Sequence, residues 1–309
     1  LWIGEICYTM LSDIERAITA YSKALAFAPN DIPTLRALET LYFHKAAHDE
    51  IIKVYKKIVK VSDDPNEQAL LYFKMGEIHE KALRQLDEAV ENYRKVLSLA
   101  PAHLGALGAL ERIYREKGSW DELVKIFEAK AQAQDDPKEV ASLNAMIGEL
   151  YEGKLASDEK ALNAYARALS LDQDNIQALE GLKRLYMQKE AWSDLVQLYE
   201  KTENRLTSSD NRSALLYRAG ILLEYKLSDA SKALSFYLRA LEITPAHFPS
   251  LLALERLYLT EKKWDDLIGV YKKQLALTMD QRRIVSLYHK IAEIYEEKLM
   301  LRDEAISVY

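Results

Sequence analysis

The sequence predicts an all-α protein, a solenoid of about 18 antiparallel helices. Two observations carry this prediction: residue columns recur every 72 residues without insertion or deletion, and apolar residues within each period recur at steps of three and four. A repeat of this kind buries its apolar surface against the neighbouring repeats, so the fold grows by stacking. The clearest column is a tyrosine that occurs at Tyr21, Tyr93, Tyr165, Tyr237 and Tyr309.

Each 72-residue period is interpreted as four amphipathic helices. In the second period Leu71, Met75 and Ile78 share one helix face. Short polar or proline-containing breaks at residues 100–102 and 117–119 have room only for a turn between neighbouring helices. Residues 1–309 are therefore interpreted as a single solenoid domain of about nine helical hairpins.

The register also predicts that the first and last hairpins are truncated. The segment Leu1–Leu11 aligns with Phe73–Leu83, so Leu1 is expected to lie inside a helix, and Tyr309 falls in the middle of another. The chain is therefore expected to be an excerpt of a longer protein. Unfinished hairpin faces at both ends leave end-to-end self-association as an open alternative.

Several polar residues at the breaks predict helix starts. Asp136 precedes a proline and is expected to cap the following helix. Ser119, with Glu122 three residues later, has the spacing of a capping box. His103 and His247 each follow Pro-Ala at a helix start and are interpreted as local capping residues.

Composition excludes several classes of protein. The net charge is −6, from 48 acidic and 42 basic residues, so no excess positive field favours nucleic acid as the main partner. No apolar run approaches the roughly 20 residues that span a bilayer. Cys7 is the only cysteine, which excludes an internal disulfide. The predicted location is cytoplasmic, with a signal or anchor outside the excerpt left open.

The sequence predicts no enzyme, cofactor or metal site. It contains no glycine-rich phosphate loop, nucleophile elbow or set of four zinc ligands. His44 and His48 have a spacing that suits a metal, but a predicted turn separates them and no third ligand recurs nearby. His48, which takes the column of Trp120, is interpreted instead as a packing or capping residue.

One hairpin of each period has the spacing of a known repeat signature, and the chain resembles the tetratricopeptide repeat family over its full length. In the third period the matching residues are Asn144, Ile147, Gly148, Tyr151, Ala161 and Tyr165. The alternate hairpins depart from the signature, because Glu39 and its equivalents fill the small-residue position.

The resemblance implies a right-handed superhelix that acts as a non-catalytic protein-interaction scaffold. Its concave groove, lined by the first helix of each hairpin, would bind a peptide or a partner protein. The central groove positions carry Glu5, Glu77, Glu149, Ile221 and Glu293 in one set of hairpins and Thr40, Arg112, Arg184 and Arg256 in the other. Further positions on the same face carry Phe73, Lys74, Met187, Tyr217, Arg218, Tyr225, Leu252 and Leu259.

Alternatives stay open for these residues. Glu77, Arg112 and Glu149 either neutralise one another along the groove or leave the arginine to bind carboxylates of a partner. The aromatic residues either anchor a ligand or complete the core between helices. For the whole protein, the alternatives are an RNA-processing helical repeat and the regulatory arm of an enzyme that lies outside this chain.

Overall fold

The computed structural model describes residues 2–308. This part of the chain contains eighteen α-helices and no strand, which confirms the predicted fold class. The contacts between residues form two compact units, 1–181 and 182–309. No helix between residues 2 and 308 is both long and apolar enough to cross a bilayer.

Unit 1, residues 1–181, is a row of helical hairpins in which each helix packs mainly on the next one along the chain. A π-helical turn, Ile78–Ala82, follows α5. The helices are α1 (Trp2–Thr9), α2 (Ile14–Phe27), α3 (Ile32–His44), α4 (His48–Val61), α5 (Pro65–Glu77), α6 (Leu86–Leu99), α7 (Leu104–Lys117), α8 (Trp120–Gln132), α9 (Pro137–Gly153) and α10 (Asp158–Leu171), with the start of α11 (Ile176–Gln188).

Unit 2, residues 182–309, begins within α11 and repeats the same arrangement. A second π-helical turn, Ile294–Lys298, follows α17. The helices are α12 (Trp192–Glu203), α13 (Ser209–Tyr225), α14 (Ala230–Ile243), α15 (Phe248–Glu261), α16 (Trp264–Leu277), α17 (Gln281–Glu293) and α18 (Arg302–Val308). The predicted breaks around residues 100, 118 and 136 all fall between helices.

A residue in the left-handed conformation reverses the chain inside each hairpin. Gly118 suits this conformation, but the equivalent residues carry side chains. At Ala46, for example, φ is 51° and the next amide, Ala47 N–H, donates to the carbonyl of Tyr42 at 2.9 Å, as in a Schellman motif. The residues with positive φ are Ser12, Ala46, Arg84, Gly118, Ala156, Glu190, Ser228, Lys262 and Met300.

Side-chain caps begin many of the helices. The carboxylate of Asp136 accepts from Lys138 N–H, and the Nδ1 atom of His103 accepts from Ala106 N–H, which confirms both predicted caps. The capping box predicted at Ser119 is wrong, because its side chain bonds to no backbone amide of α8. His247 does not cap α15 either; its Nδ1 atom bonds to the hydroxyl of Ser250.

The repeated tyrosines that the structure describes, Tyr21, Tyr93, Tyr165 and Tyr237, are buried in the core of their own hairpins. Tyr93 and Tyr165 are fully buried, each with its ring against the glycine of the preceding helix. A Cβ atom on Gly76 would lie 2.6 Å from the Tyr93 ring, and one on Gly148 would lie 2.5 Å from Tyr165. Since contacts this short are repulsive, the small residue and the large ring form a matched pair in each of these hairpins.

Candidate interaction surface

The first helices of the hairpins carry the residues predicted to form a binding groove. We call this set of surfaces on α1, α3, α5, α7, α9, α11, α13, α15 and α17 the first-helix face. Its charged residues are largely bound to one another, as the pairs within each unit show. A group of three residues recurs along this face: a glutamate binds a tyrosine of its own hairpin and an arginine or lysine of the next hairpin.

In unit 1 the buried carboxylate of Glu80 bridges two hairpins. It accepts a hydrogen bond of 2.8 Å from the hydroxyl of Tyr93, on the second helix of its own hairpin. The guanidinium of Arg112, on the first helix of the next hairpin, also donates to it, with Nε at 2.9 Å. Burial and the hydrogen bond to Glu80 raise the pKa of Tyr93, and the carboxylate raises the pKa of Arg112.

Unit 2 repeats this group at the same register. Tyr237 donates to Glu224 at 2.8 Å, and Arg256 donates to both oxygens of Glu224, from Nε at 3.0 Å and from Nη2 at 2.7 Å. A two-pronged contact of this kind fixes both the position and the plane of the guanidinium. Arg256 therefore forms a rigid part of the surface.

The alternate hairpins use a related group. Glu39 accepts from the hydroxyl of Tyr55 at 2.7 Å and pairs with Lys74, on the next hairpin, at 3.3 Å. Burial by itself would raise the pKa of Glu39, but hydrogen bonds from Arg36 and Tyr55 and the charge of Lys74 outweigh it, and the pKa is lowered. Glu39 stands where the first set of hairpins has glycine, so the departure from the repeat signature places a charged link there.

Glu255 in unit 2 makes the equivalent contacts. It accepts from Tyr271 at 3.2 Å and from Lys290 at 2.9 Å. Gln274 also donates to it, at 2.9 Å. As at Glu39, a glutamate in the small-residue position joins its own hairpin to the next.

The predicted charge ladder along the groove is wrong in its partners. Glu77 pairs at 2.5 Å with Lys81, in the π-helical turn that follows α5, whereas Arg112 binds Glu80. Glu149 lies exposed on α9. The register contained the signal that was missed, because Glu80 and its equivalents Glu152, Glu224 and Glu296 stand 72 residues apart, each 13 residues before a repeated tyrosine.

Two predicted aromatic anchors belong to the packing between helices. The ring of Phe73 lies 5.6 Å from that of Tyr93 and 4.8 Å from that of His103, centroid to centroid. Tyr217 repeats this arrangement in unit 2, at 5.8 Å from Tyr237 and 5.7 Å from His247. These two rings therefore complete the core between helices, and we do not assign them as ligand anchors.

The other predicted residues in unit 2 gather into an exposed patch, which we call the α15 patch. Leu252 and Leu259 lie two turns apart on α15 with Arg256 between them, and Tyr225 lies at the end of α13. The side chains of Tyr225, Leu252 and Leu259 are 58%, 49% and 45% exposed. The guanidinium of Arg256 lies over the Tyr225 ring, 5.2 Å from its centroid.

A cavity of about 430 Å³ opens at the α15 patch, lined by Leu252, Arg256, Leu259 and their neighbours Glu255 and Thr260. Three of the same repeat positions, held by Glu39, Thr40 and Phe43, line a cavity of about 450 Å³ in unit 1. Its walls are Glu39, Thr40, Phe43, Tyr55, Lys74, Glu77 and Ile78.

Sequence reasoning missed Phe43, which is 73% exposed at the wall of the unit 1 cavity. The signal was present, because Phe43 and the predicted Leu259 share one column of the repeat, which also holds Met187. The remaining predicted positions are exposed or half-buried on their first helices: Glu5, Arg184, Met187, Arg218, Ile221 and Glu293.

The histidine pair has separate roles. The Nε2 atom of His44 lies 3.1 Å from the hydroxyl of Tyr8, and His48 begins α4. Within residues 2–308, no three His, Cys, Asp or Glu side chains are placed together to hold a metal ion.

Comparison with known proteins gives three matched stretches. Sequence profiles described as "Tetratricopeptide repeat" match residues 69–103, 106–141 and 250–284. No curated protein matches the sequence.

Solved structures of similar fold include YrrB, described as a TPR protein with an unusual peptide-binding site, at 21% identity and a TM-score of 0.34, covering 64% of this chain and 96% of YrrB. MamA is similar at 24% identity and a TM-score of 0.33, over 55% of this chain and 95% of MamA. A human IFIT1 dimer with PPP-AAAA is similar at 16% identity and a TM-score of 0.34, over 92% of this chain and 69% of IFIT1. At similarities this low, the ligands of these proteins give no information on the ligand of this chain.

The three matched stretches fall in both kinds of hairpin and in both units. The 72-residue register carries the same pattern along the rest of the sequence. Together they show that this chain contains tetratricopeptide repeats.

Proposed function

We propose that this chain is a peptide-binding scaffold that uses the first-helix face, with the α15 patch as its main contact in unit 2. Tetratricopeptide repeat proteins are in general protein-interaction scaffolds and in general non-catalytic. The observation that carries the finer proposal is the exposure of Tyr225, Leu252 and Leu259 around the fixed guanidinium of Arg256.

The energy for binding at the α15 patch comes mainly from apolar contact. Arg256 is held by Glu224, and Glu255 is held by Lys290, so the charges at the patch are neutralised within the chain. Leu252 and Leu259 lie about 10 Å apart along α15, within reach of two side chains of one short peptide. Burying each half-exposed side chain contributes on the order of 1 kcal/mol.

Because the charges are neutralised within the chain, the arginines have a different role from the one predicted. Arg112 and Arg256 position the surface, since two of the three guanidinium nitrogens of each donate to Glu80 and Glu224. The same neutralisation gives no support to a phosphate-binding row, which is what RNA binding would require.

A displayed library of random peptides tests the proposal. We expect peptides with two apolar residues to be enriched on the unaltered chain and to lose binding at least tenfold with Leu252→Glu or Leu259→Glu. Leu277→Glu, the same change at a 38% exposed leucine on the second helix α16, is the matched control and should leave binding unchanged. Enriched peptides that bind the Leu252→Glu and Leu259→Glu variants as well as the unaltered chain would refute the proposal.

A further inference from the structure

A further cavity lies in unit 1, lined by the second helices α8 and α10 and by the side of α9 that faces away from the first-helix residue Glu149. Its volume is about 470 Å³, and it opens between α8, α9 and α10. The apolar part of its lining consists of Ala131, Val140, Ile147 and Leu171. Asn144 and Arg167 supply polar groups at the same cavity.

The cavity is open because one side chain of the repeat is small here. Asn144 occupies a column that holds tyrosine in two other periods, Tyr72 and Tyr288. The amide of Asn144 turns back along its own helix and donates to the carbonyl of Val140 at 2.8 Å. No ring from the chain itself therefore enters the space from this position.

The equivalent place one period earlier shows what fits. The half-buried ring of Tyr72 packs against two core clusters, one formed by residues of α1–α5 and the other by residues of α5–α10. The Nζ atom of Lys95 lies over this ring, 5.5 Å from its centroid. Arg167 is the residue that corresponds to Lys95 in the register, so a cation is retained where the ring is absent.

We propose that this cavity binds an aromatic side chain of a partner protein, with the ring face under the guanidinium of Arg167. The face of an aromatic ring is the negative end of its quadrupole and its edge the positive end, so the face complements Arg167 and the edge complements Glu128 on the cavity wall. Within residues 2–308 the guanidinium of Arg167 makes no ion pair, and it is exposed. The chain supplies such a ring itself at Tyr72.

This site is independent of the function proposed for the first-helix face. Asn144 and the first-helix residue Glu149 are five residues apart, which places them about 140° apart around α9. The variants that test one site therefore leave the other intact, and a failure at one does not decide the other.

Nuclear magnetic resonance titration of the ¹⁵N-labelled chain tests the proposal, with four probes. These are N-acetyl-phenylalanine amide, N-acetyl-leucine amide, N-acetyl-glutamate amide and the capped peptide Gly-Ser-Phe-Ser-Gly. We expect the phenylalanine amide and the peptide to give saturable shifts at Ala131, Asn144 and Leu171, with the leucine and glutamate probes binding at least threefold more weakly.

Variants distinguish binding of the aromatic ring in this cavity from nonspecific binding to the surface. Asn144→Tyr restores the ring of the repeat and should abolish the shifts while leaving thermal stability equal or higher, whereas Asn211→Tyr, the same change at an exposed position of α13, should leave binding unchanged. Arg167→Ala should weaken binding about threefold through loss of the cation–π contact.

Three results would overturn the proposal. One is the absence of saturable shifts with both phenylalanine probes, and another is equal or tighter binding of the leucine probe. The third is binding of the single amino acid without binding of the peptide, which would mean that the cavity takes free aromatic molecules rather than a partner's side chain.

Discussion

The hydroxyl of Tyr93 donates a hydrogen bond of 2.8 Å to the carboxylate of Glu80, and both side chains are buried. Since Arg112 of the next hairpin binds the same carboxylate, one buried glutamate joins the two helices of its own hairpin to the hairpin that follows. Unit 2 repeats the arrangement at Tyr237 and Glu224. Stacking in this repeat thus depends on polar links as well as on apolar contact.

Removing the Tyr93 hydroxyl should weaken the hairpin pair. Tyr93→Phe leaves one oxygen of the buried Glu80 without its donor, and we expect a loss of about 1 to 3 kcal/mol in the free energy of unfolding. Urea denaturation followed by circular dichroism measures it. Tyr288→Phe, at a 45% exposed ring, is the control and should change stability by less than about 0.5 kcal/mol. Equal effects of the two changes would contradict the role assigned to Glu80.

The buried tyrosines also predict a loss of stability in alkali. Burial raises the pKa of Tyr93 and of Tyr237 well above the ordinary value near 10. Above that pH the unfolded chain releases tyrosine protons that the folded chain keeps, so the unfolded state binds fewer protons and stability falls as pH rises. Their stabilising contribution is complete below pH 10, where both states are protonated.

The contribution of Tyr93 to this loss of stability can be measured by comparing the Tyr93→Phe variant with the unaltered chain. Above pH 10, each such tyrosine lowers the free energy of unfolding by about 1.4 kcal/mol per pH unit. The Tyr93→Phe variant should therefore lose less stability per pH unit than the unaltered chain, by that amount. Urea denaturation at several pH values from neutral to alkaline gives the two slopes. Parallel pH profiles for the variant and the unaltered chain would show that Tyr93 does not keep its proton in the folded state.

Much of the fold could be predicted from the sequence, because a repeat shows its own period. The helices, the breaks near residues 100, 118 and 136 and the buried columns at Ala89 and Tyr93 all follow from the 72-residue register. The interpretation of residues 1–309 as a single solenoid remains a prediction.

The partners of the charged residues could not be predicted from spacing alone. The family signature placed Arg112 beside Glu77, but a glutamate three residues away, at the π-helical turn, lies close enough to bind it. The contact does not depend on that turn, because the equivalent Glu224 binds Arg256 from within the regular helix α13. Residues three apart share one helix face, so spacing alone does not tell which of the two positions reaches the next hairpin. Leu252 and Leu259 are exposed, and their role in binding stays a prediction, whereas the partner predicted for Arg112 was wrong.

Replacing a non-glycine residue of left-handed conformation by glycine should increase the stability of the chain. Ala156 has φ of 49°, a conformation that costs a residue with a Cβ atom roughly 1 to 2 kcal/mol. Ala156→Gly removes this strain but loosens the unfolded chain, and we expect a net gain of about 0.5 to 1 kcal/mol. Ala166→Gly, inside α10, is the matched control and should cost about 1 kcal/mol. Thermal denaturation of the two variants should shift in opposite directions, and destabilisation by both would contradict the turn geometry.

A buried ion pair in unit 2 should be replaceable by apolar residues. The side chain of Glu203 is 1% exposed and accepts from Arg212 Nε at 2.7 Å. One period later the same columns hold Leu275 and Ile284. Arg212→Ile alone leaves a buried carboxylate short of a partner, and we expect a loss of about 3 kcal/mol, whereas Glu203→Leu with Arg212→Ile should return to within about 1 kcal/mol of the unaltered chain.

Chemical denaturation of the two single variants and the double variant measures this coupling. Additive losses in the double variant would mean that Glu203 and Arg212 do not act as a pair. Arg239 binds Glu200 at 2.9 Å and also lies 3.4 Å from Glu203, so it keeps Glu200 as a partner when Glu203 is replaced, and Glu203 keeps this longer contact when Arg212 is replaced.

We propose that the first-helix face binds a partner segment through the α15 patch. The most direct measurement is the ¹⁵N spectrum of the full chain with a peptide enriched from the displayed library, compared residue by residue with the spectrum of the free chain. We expect the largest shifts to cluster at Tyr225, Leu252, Arg256 and Leu259. Shifts confined to the second helices, such as α14 and α16, would contradict it.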